Sequence, residues 1–119
     1  MQSLVDSGKS VVLFLDVPEM DFFIERCIER NISLRRNAGA ECRVPRSTLE
    51  SMRARYKRII ERVAQRNPSV RVYDGYHALC DRTHCYGGDE TMLYFSDSNH
   101  LSMRGSRKVA ADFLTWLEQ

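Results

Sequence analysis

An uninterrupted apolar run at residues 11–15, Val-Val-Leu-Phe-Leu, is the feature that most constrains the fold of this chain. Continuous rather than alternating apolar residues are typical of a strand that is covered on both faces, as in a parallel sheet. The run is far shorter than the roughly 20 residues that a membrane-spanning helix needs, so we predict a buried strand over residues 10–16. A secretory signal is not predicted, because the residues before the run include Asp6 and Lys9 and contain no apolar region of their own.

Helical periodicity follows this strand. An amphipathic helix is predicted over residues 20–31, because its apolar residues recur every three or four positions. A second helix is predicted to begin at Ser47, where Ser47 and Glu50 have the spacing of a capping box, and to end before Pro68. The residues predicted to form its buried stripe are Leu49, Met52, Tyr56, Ile59, Ile60 and Val63.

The other segments are predicted as follows. Residues 33–46 have neither helical nor strand periodicity and are predicted to be a loop, and residues 74–90 are predicted to be irregular. A short strand is predicted at residues 70–73, and residues 93–95 form either a last strand or an extended entry to a loop. Ser102 is predicted to cap a closing helix. The inward-facing residues predicted for that helix are Val109, Ala110, Phe113, Leu114 and Leu117.

The alternation of strands and helices predicts an α/β fold with a parallel sheet flanked by helices. At 119 residues the chain is long enough for one domain. Chemistry in such sheets gathers beyond the carboxyl ends of the strands. The loops predicted to carry function are therefore residues 16–20, 74–85 and 96–105.

Four cysteines, Cys27, Cys42, Cys80 and Cys85, allow three disulfide pairings. Their even number and the loop character of the segments that hold three of them favour two local bridges, Cys27 with Cys42 and Cys80 with Cys85, over reduced thiols. Such bridges indicate an oxidising compartment.

A zinc site is the alternative for part of this set. His77, Cys80, His84 and Cys85 lie within nine positions, and zinc accepts both residue types. Adjacent side chains at 84 and 85 tend to point apart, however, and no C-x-x-C pair is present. We therefore predict a loop disulfide or surface residues rather than a metal site.

The second helix is locally basic, with eight basic and two acidic residues between Arg43 and Arg66. Such a segment could attract phosphate, an acidic lipid surface or an anionic glycan. A solvated helix face is the favoured interpretation, because amphipathic helices normally place charge outward. The net charge of the chain is only +2, and Tyr56 is the single aromatic residue among the basic residues of this helix, so nucleic acid is not a predicted partner.

Asp97 and His100 form an Asp-x-x-His pattern immediately before the closing helix. An aspartate at this spacing can accept the imidazole Nδ1 hydrogen and leave Nε2 free to take a proton from a nucleophile. The alternative is that Asp97 and Asn99 cap turns and that His100 caps a helix end, because so short a pattern often arises by chance.

The wider segment YFSDSNHLSMRG at residues 94–105 resembles the last sequence block of the SGNH (GDSL-type) hydrolases. It resembles most closely the SGNH domains fused behind integral membrane acyltransferases that O-acetylate bacterial cell-surface polysaccharides. The cysteine-bearing residues 79–85 and the Val-Pro-Glu at residues 17–19 are also similar to that subgroup.

This resemblance implies a three-layer, flavodoxin-like fold, with His100 as general base and Asp97 as its orienting partner. The catalytic serine of the family lies in a Gly-Asp-Ser block that this sequence lacks, and Ser7, in Asp-Ser-Gly, precedes the first strand instead of following it. No Gly-x-Asn-Asp block is present either. We therefore expect residues 1–119 to be the C-terminal portion of a single, incomplete SGNH-like domain that is inactive alone.

The resemblance also implies the partners: an acyl donor, a glycan acceptor and the membrane acyltransferase module of a parent protein, at the periplasmic or extracytoplasmic face of the bacterial inner membrane. No cofactor is expected. Arg104 is a candidate contact for an anionic substrate group. The alternatives are a non-catalytic SGNH-like recognition or docking module, or a small zinc- or nucleic-acid-binding domain. An incomplete sheet predicts an exposed apolar edge and possible self-association.

Overall fold

A computed structural model describes residues 1–20, 42–89 and 92–119. Its elements in chain order are α1 (Gln2–Asp6), β1 (Val12–Leu15), β2 (Arg43–Pro45), α2 (Arg46–Arg66), β3 (Arg71–Asp74), α3 (Tyr76–Leu79), β4 (His84–Tyr86) and α4 (Met103–Leu117). All but the first residue of the helix predicted for residues 20–31, and most of the loop predicted for residues 33–46, lie outside the described residues.

The first predicted strand and the one at residues 70–73 pair in parallel. Val12 of β1 lies opposite Arg71 of β3, and Leu15 lies opposite Asp74. The predicted α/β class with a parallel sheet is therefore confirmed. In the described parts of the chain this sheet has two strands, fewer than the four to six that are usual, which is consistent with an incomplete fold of this class.

Helices α2 and α4 cover opposite faces of the sheet. Phe14 and Tyr73, which are register partners, face α4: the Phe14 and Phe113 ring centroids are 4.7 Å apart, and those of Tyr73 and Trp116 are 5.3 Å apart. Successive side chains of a strand point to opposite faces. Asp74 accordingly faces α2.

The inward face of α4 differs from the predicted one. Val109, Phe113 and Trp116 are half-buried, whereas Leu114 and Leu117 are exposed, as is Ala110. The helix is turned so that its aromatic residues meet Phe14 and Tyr73. Edge-to-face aromatic pairs add to the area buried, which favours a face with Phe113 and Trp116 over one with Leu114 and Leu117.

Two segments that were predicted to be irregular contain short elements. β2 lies in the predicted loop at residues 33–46, and α3 and β4 lie within residues 74–90. β2 and β4 pair antiparallel, with Val44 opposite Cys85, and both of these side chains are fully buried. Each strand has three residues, which is too short for a periodic pattern to reveal, and their pairing depends on contacts distant in sequence.

The capping box predicted at Ser47 is absent. α2 begins one residue earlier, at Arg46, without a side-chain cap, and the Arg46 amide donates to the Thr83 carbonyl at 2.8 Å. Glu50 does not reach back to the helix start, since its carboxylate binds Arg53 and Arg46. A carboxylate binds a charged guanidinium more strongly than a neutral backbone amide. Glu50 therefore pairs with the arginines and not with the amide at the start of the helix.

The apolar stripe predicted for α2 is only partly buried. Leu49 is buried, but Met52 is 57% exposed and Tyr56 and Ile59 are also exposed. Phe14 on β1 is 49% exposed. Arg53 is the most buried charged side chain of the described residues. It lies where α2 meets the carboxyl end of β3, and its burial is tolerated because acidic side chains compensate its charge there.

Arg53 is 9% exposed and is bound on three sides. Its guanidinium donates to both oxygens of Asp74, at 2.7 and 2.8 Å, and to Glu50 at 2.6 Å. It also lies over the Tyr76 ring, 3.3 Å from the centroid. Burial alone would raise the pKa of Asp74, but the hydrogen bonds from Arg53 and from the Tyr76 amide outweigh it and lower that pKa.

The core lies between α2, the short antiparallel pair and the last loop. Its buried members are Met20, Cys42, Val44, Leu49, Tyr76, Leu79, Cys85, Tyr94 and Phe95. Residues 93–95 are extended, with isolated bridges from Gly88 to Leu93 and from Phe95 to Leu101. This arrangement fits the extended entry to a loop rather than a last strand, and it anchors the following residues to the core.

We predict that Arg53→Met lowers the free energy of unfolding by about 3 kcal/mol, near the lower end of the cost of removing one partner of a buried ion pair, because both carboxylates are partly exposed. Arg62→Met is the matched control: Arg62 is on the same helix and exposed, so its change should be within about 0.5 kcal/mol. Urea unfolding measures both. Equal losses in the two variants would contradict a central role for Arg53.

A second prediction concerns acid. Because the folded-state pKa of Asp74 is lowered, its contribution to stability is complete above its unfolded pKa of about 3.9 and is lost as the pH falls through the lower folded value. Urea midpoints measured from neutral pH to about pH 2 should therefore fall less steeply for Asp74→Asn than for the unchanged chain. Glu61→Gln, at an exposed position of α2, should keep the original slope; a D74N slope equal to it would refute the linkage.

Candidate functional site

The carboxylate of Asp97 binds the ring of His100. The Nδ1 atom of His100 lies 2.8 Å from one carboxylate oxygen and 2.9 Å from the other. The His100 side chain is 74% exposed. Among the described residues, its Nε2 has no hydrogen-bond partner, so this nitrogen is available to a reacting group.

The same carboxylate also organises the turn. It accepts hydrogen bonds from the backbone amides of Asn99, at 3.0 Å, and His100, at 2.8 Å. These two amides, with that of Asn99 contributing most, and the His100 ring lower the pKa of Asp97. Asp97 therefore caps the turn and also orients the imidazole, whereas the helix end that the alternative assigned to His100 is capped by Ser102.

The turn is fixed at its base. The Ser96 amide donates to the His100 carbonyl at 2.8 Å, which closes the loop around Asp97. Ser102 caps α4, as predicted, by accepting from the Gly105 amide at 3.1 Å, and its hydroxyl donates to the Leu93 carbonyl. The loop is thus held between a buried extended segment and a capped helix.

Gly105 brings α4 against the backbone of Tyr94. A Cβ atom at position 105 would overlap the Tyr94 carbonyl oxygen and approach its carbonyl carbon within 2.8 Å. The Ser102 amide donates to this same carbonyl oxygen at 2.8 Å. Only glycine permits this approach, which explains the glycine of the 94–105 segment.

The loop after β1 reaches the same place. The Met20 amide donates to the Ser98 carbonyl at 2.7 Å, and Met20 itself is fully buried. Residues 16–20 and 96–105, two of the three loops predicted to carry function, therefore meet at the carboxyl end of the sheet.

Comparison with protein-family models gives a match to the SGNH domain of proteins in which it is fused to AT3 domains, over residues 1–115. The chain belongs to this SGNH family. Searches of the curated proteins and of the solved structures find no match. The resemblance carried by residues 94–105 is thus confirmed. The fusion to AT3 domains supports a membrane acyltransferase module in the parent protein.

Membrane-spanning helices and metal sites were both considered for this SGNH domain from its sequence. In the described ranges no helix is both long enough and apolar enough to cross a bilayer. The same ranges hold no group of three or more side chains that could bind a metal ion. Cys80 and Cys85 form a disulfide with an S–S distance of 2.02 Å, so the thiolates that the zinc alternative requires are oxidised.

The Cys80–Cys85 bridge is one of the two local pairs that the sequence predicts. Cys42 is also disulfide-bonded, while Cys27, its predicted partner, lies outside the described residues. The bridge closes a five-residue span between α3 and β4.

Arg104, the candidate contact for an anionic substrate group, lies in the first turn of α4. Its guanidinium is 3.4 Å from the carboxylate of Asp89, and its side chain is half-exposed. The structure therefore shows Arg104 with an acidic partner of the domain.

Ser7 and the Asp97 loop lie towards opposite ends of β1. It follows α1 and precedes β1, whereas residues 16–20 follow β1 and contact Ser98. Its hydroxyl donates to the Leu4 carbonyl at 2.7 Å. Ser7 is therefore at the amino end of the strand, opposite the end that holds His100.

Sequence inspection missed a second Asp–His pair. The Nδ1 atom of His77 on α3 lies 2.8 Å from the Asp112 carboxylate on α4, and the Tyr73 hydroxyl donates to the same carboxylate at 2.7 Å. These contacts join β3, α3 and α4. A separation of 35 residues between His77 and Asp112 leaves no local spacing to detect, and the only signal is an acidic residue on the inward face of α4.

We predict that Gly105→Ala in this SGNH domain lowers the free energy of unfolding by about 1–3 kcal/mol, the usual cost of overpacking. The added methyl group would force α4 away from Tyr94. The exposed neighbour Ser106 supplies the control, since Ser106→Ala adds no contact there. Thermal or urea unfolding checks both, and a G105A domain as stable as S106A would show that the close approach is not required.

Proposed function

We propose that this SGNH domain supplies the acid–base pair of a carbohydrate O-acyltransferase or esterase that acts on cell-surface glycans. The observation that supports it is the Asp97–His100 hydrogen bond through Nδ1, with Nε2 free among the described residues. This is the orientation in which a histidine takes a proton from a serine hydroxyl. Family membership supports the acyl-transfer chemistry.

In the proposed reaction, His100 Nε2 accepts the proton of a serine hydroxyl while the serine oxygen attacks the acyl carbonyl carbon. The bond from that carbon to the leaving group then breaks, and His100 returns the proton to the leaving group. A glycan hydroxyl next gives its proton to Nε2 and attacks the acyl-serine ester, and the serine oxygen recovers the proton. Water in place of the glycan gives hydrolysis.

Asp97 contributes by holding the imidazole. The carboxylate, whose pKa is lowered further from its ordinary value by its hydrogen bonds, is ionised at neutral pH and stabilises the imidazolium that forms when Nε2 is protonated. Two backbone amides donate to one of its oxygens and help to orient the carboxylate. The pair is therefore preorganised before substrate arrives.

The serine is proposed to come from outside these 119 residues, with the chain as the C-terminal portion of a single SGNH domain. The position of Ser7 at the opposite end of β1 supports this, as does the two-stranded parallel sheet of the described residues. The chain alone is then inactive, because a base without its nucleophile retains little of the rate advantage.

The proposed setting is the periplasmic or extracytoplasmic face of the bacterial inner membrane. A membrane acyltransferase module of the parent would deliver the acyl group, and the glycan would accept it. The Cys80–Cys85 disulfide fits an oxidising compartment. No cofactor enters this mechanism.

In the parent protein, we predict that His100→Ala and Asp97→Asn each lower kcat for acyl transfer by about 10³-fold or more, by analogy with serine triads. His84→Ala is the control: this histidine lies on β4 and binds Thr83. Incorporation of labelled acetyl groups into glycan measures the loss. Full activity of the H100A parent would overturn the catalytic role and favour a recognition module.

A p-nitrophenyl acetate assay of the purified 119-residue chain tests the origin of the serine. We expect no turnover above background. Turnover that His100→Ala abolishes would place the nucleophile within this chain and refute that part of the proposal.

A further inference from the structure

A cavity of about 370 Å³ lies between residues 16–19 and α2. Leu49, Arg53 and Tyr76, which are buried, form its floor. This volume is within the range of about 300–1,000 Å³ that is usual for small-molecule sites. Its exposed lining residues are Met52, Tyr56, Asp16 and Glu19.

The cationic group at the floor is already compensated. Arg53 donates to Asp74 and Glu50 and lies over Tyr76. Two carboxylates thus oppose one guanidinium. The floor therefore offers no free positive charge to an anionic ligand.

The exposed carboxylates at the cavity mouth are available as acceptors. One oxygen of Asp16 accepts a hydrogen bond from the Val17 amide at 2.8 Å. This bond orients the carboxylate and leaves its second oxygen to accept a hydrogen bond from a ligand. Glu19 has no hydrogen-bond partner within the described residues. Each ionised carboxylate can accept hydrogen bonds at two oxygens, so the mouth can bind several hydroxyl groups.

The opposite wall is apolar. Met52 and Tyr56 project from adjacent turns of α2, and both are exposed although they lie on the helix face that was predicted to be buried. A tyrosine ring provides a flat surface with a polar tip. Such a wall suits the apolar C–H face of a sugar ring, whose hydroxyls point to the carboxylates.

The cavity is coupled to the acid–base pair by the backbone. Glu19 is at its mouth, and the amide of the next residue, Met20, binds the Ser98 carbonyl within the Asp97 loop. The segment that forms one wall of the cavity is therefore hydrogen-bonded to the loop that presents His100.

We propose that this cavity binds a neutral sugar ring of the glycan acceptor, with Asp16 and Glu19 accepting its hydroxyls and Tyr56 packing against its C–H face. The inference rests on the proposed function for the identity of the ligand as acceptor. It adds a specificity: we expect uronic acids to be excluded, because their carboxylate would meet Asp16 and Glu19, and the described residues that line the cavity include no uncompensated cation to offset the repulsion.

Amide chemical shifts of the ¹⁵N-labelled chain test the site without catalysis. Titration with methyl β-D-glucopyranoside should move the amides at residues 16–19 and 52–56, whereas methyl β-D-glucuronide should not. Glu19→Gln should weaken glucoside binding by about tenfold, the usual value of a hydrogen bond to a charged group. Glu61→Gln, which changes an exposed carboxylate of α2 outside the cavity, should leave it unchanged.

Tyr56 gives a second pair of variants. Tyr56→Ala should abolish measurable glucoside binding, and Tyr56→Phe, which keeps the ring, should retain it. Equal urea midpoints for the variants compared would show that each remains folded.

Several results would overturn the site. Equal binding of the glucuronide and the glucoside, or equal glucoside affinities of E19Q and E61Q, would each do so. Chemical-shift changes confined to residues outside the cavity would also do so. Changes at the cavity residues caused by butyramide but not by the glucoside would assign the cavity to an acyl chain. In each case the effect of His100→Ala on the parent still decides the proposed function. Glucoside binding in the cavity together with a fully active H100A parent would support the sugar site and refute the catalytic role of His100.

Discussion

The buried guanidinium of Arg53 is the interaction on which most of the structure depends. It joins α2 to the carboxyl end of β3 through Asp74, and to its own helix through Glu50. Asp74 in turn accepts from the Tyr76 amide at 3.0 Å, which starts α3. A charge removed from water requires this complete set of partners. One ionic cluster therefore sets the position of α2, the start of α3 and the floor of the cavity.

The candidate site depends on a different kind of constraint. Asp97 and His100 are three residues apart, and the hydrogen bonds that orient them arise within one turn. Their placement, by contrast, comes from the close approach of Gly105 to Tyr94 and from the Met20–Ser98 hydrogen bond. A local motif supplies the chemistry, and packing decides which surface it faces.

The errors in sequence-based prediction have a common cause. Ser47 and Glu50 have the spacing of a capping box, but Arg53 and Arg46 bind the glutamate. Leu114 has the right spacing for the inward face of α4, but the aromatic contacts of Phe113 and Trp116 turn that helix. In each case a partner distant in sequence or a stronger charge interaction overrides a valid local preference.

The sequence by itself indicated a parallel sheet that contains β1 and β3, the existence of α2 and α4, the cap at Ser102, local disulfide bridges and the candidate Asp97–His100 pair. These follow from hydrophobic periodicity, from family resemblance or from groups a few residues apart. Only the tertiary structure decided the β2–β4 pair, the His77–Asp112 contact and the cavity between residues 16–19 and α2. Such features are made by segments that lie tens of residues apart, and their geometry is settled when burial and charge compensation are satisfied together.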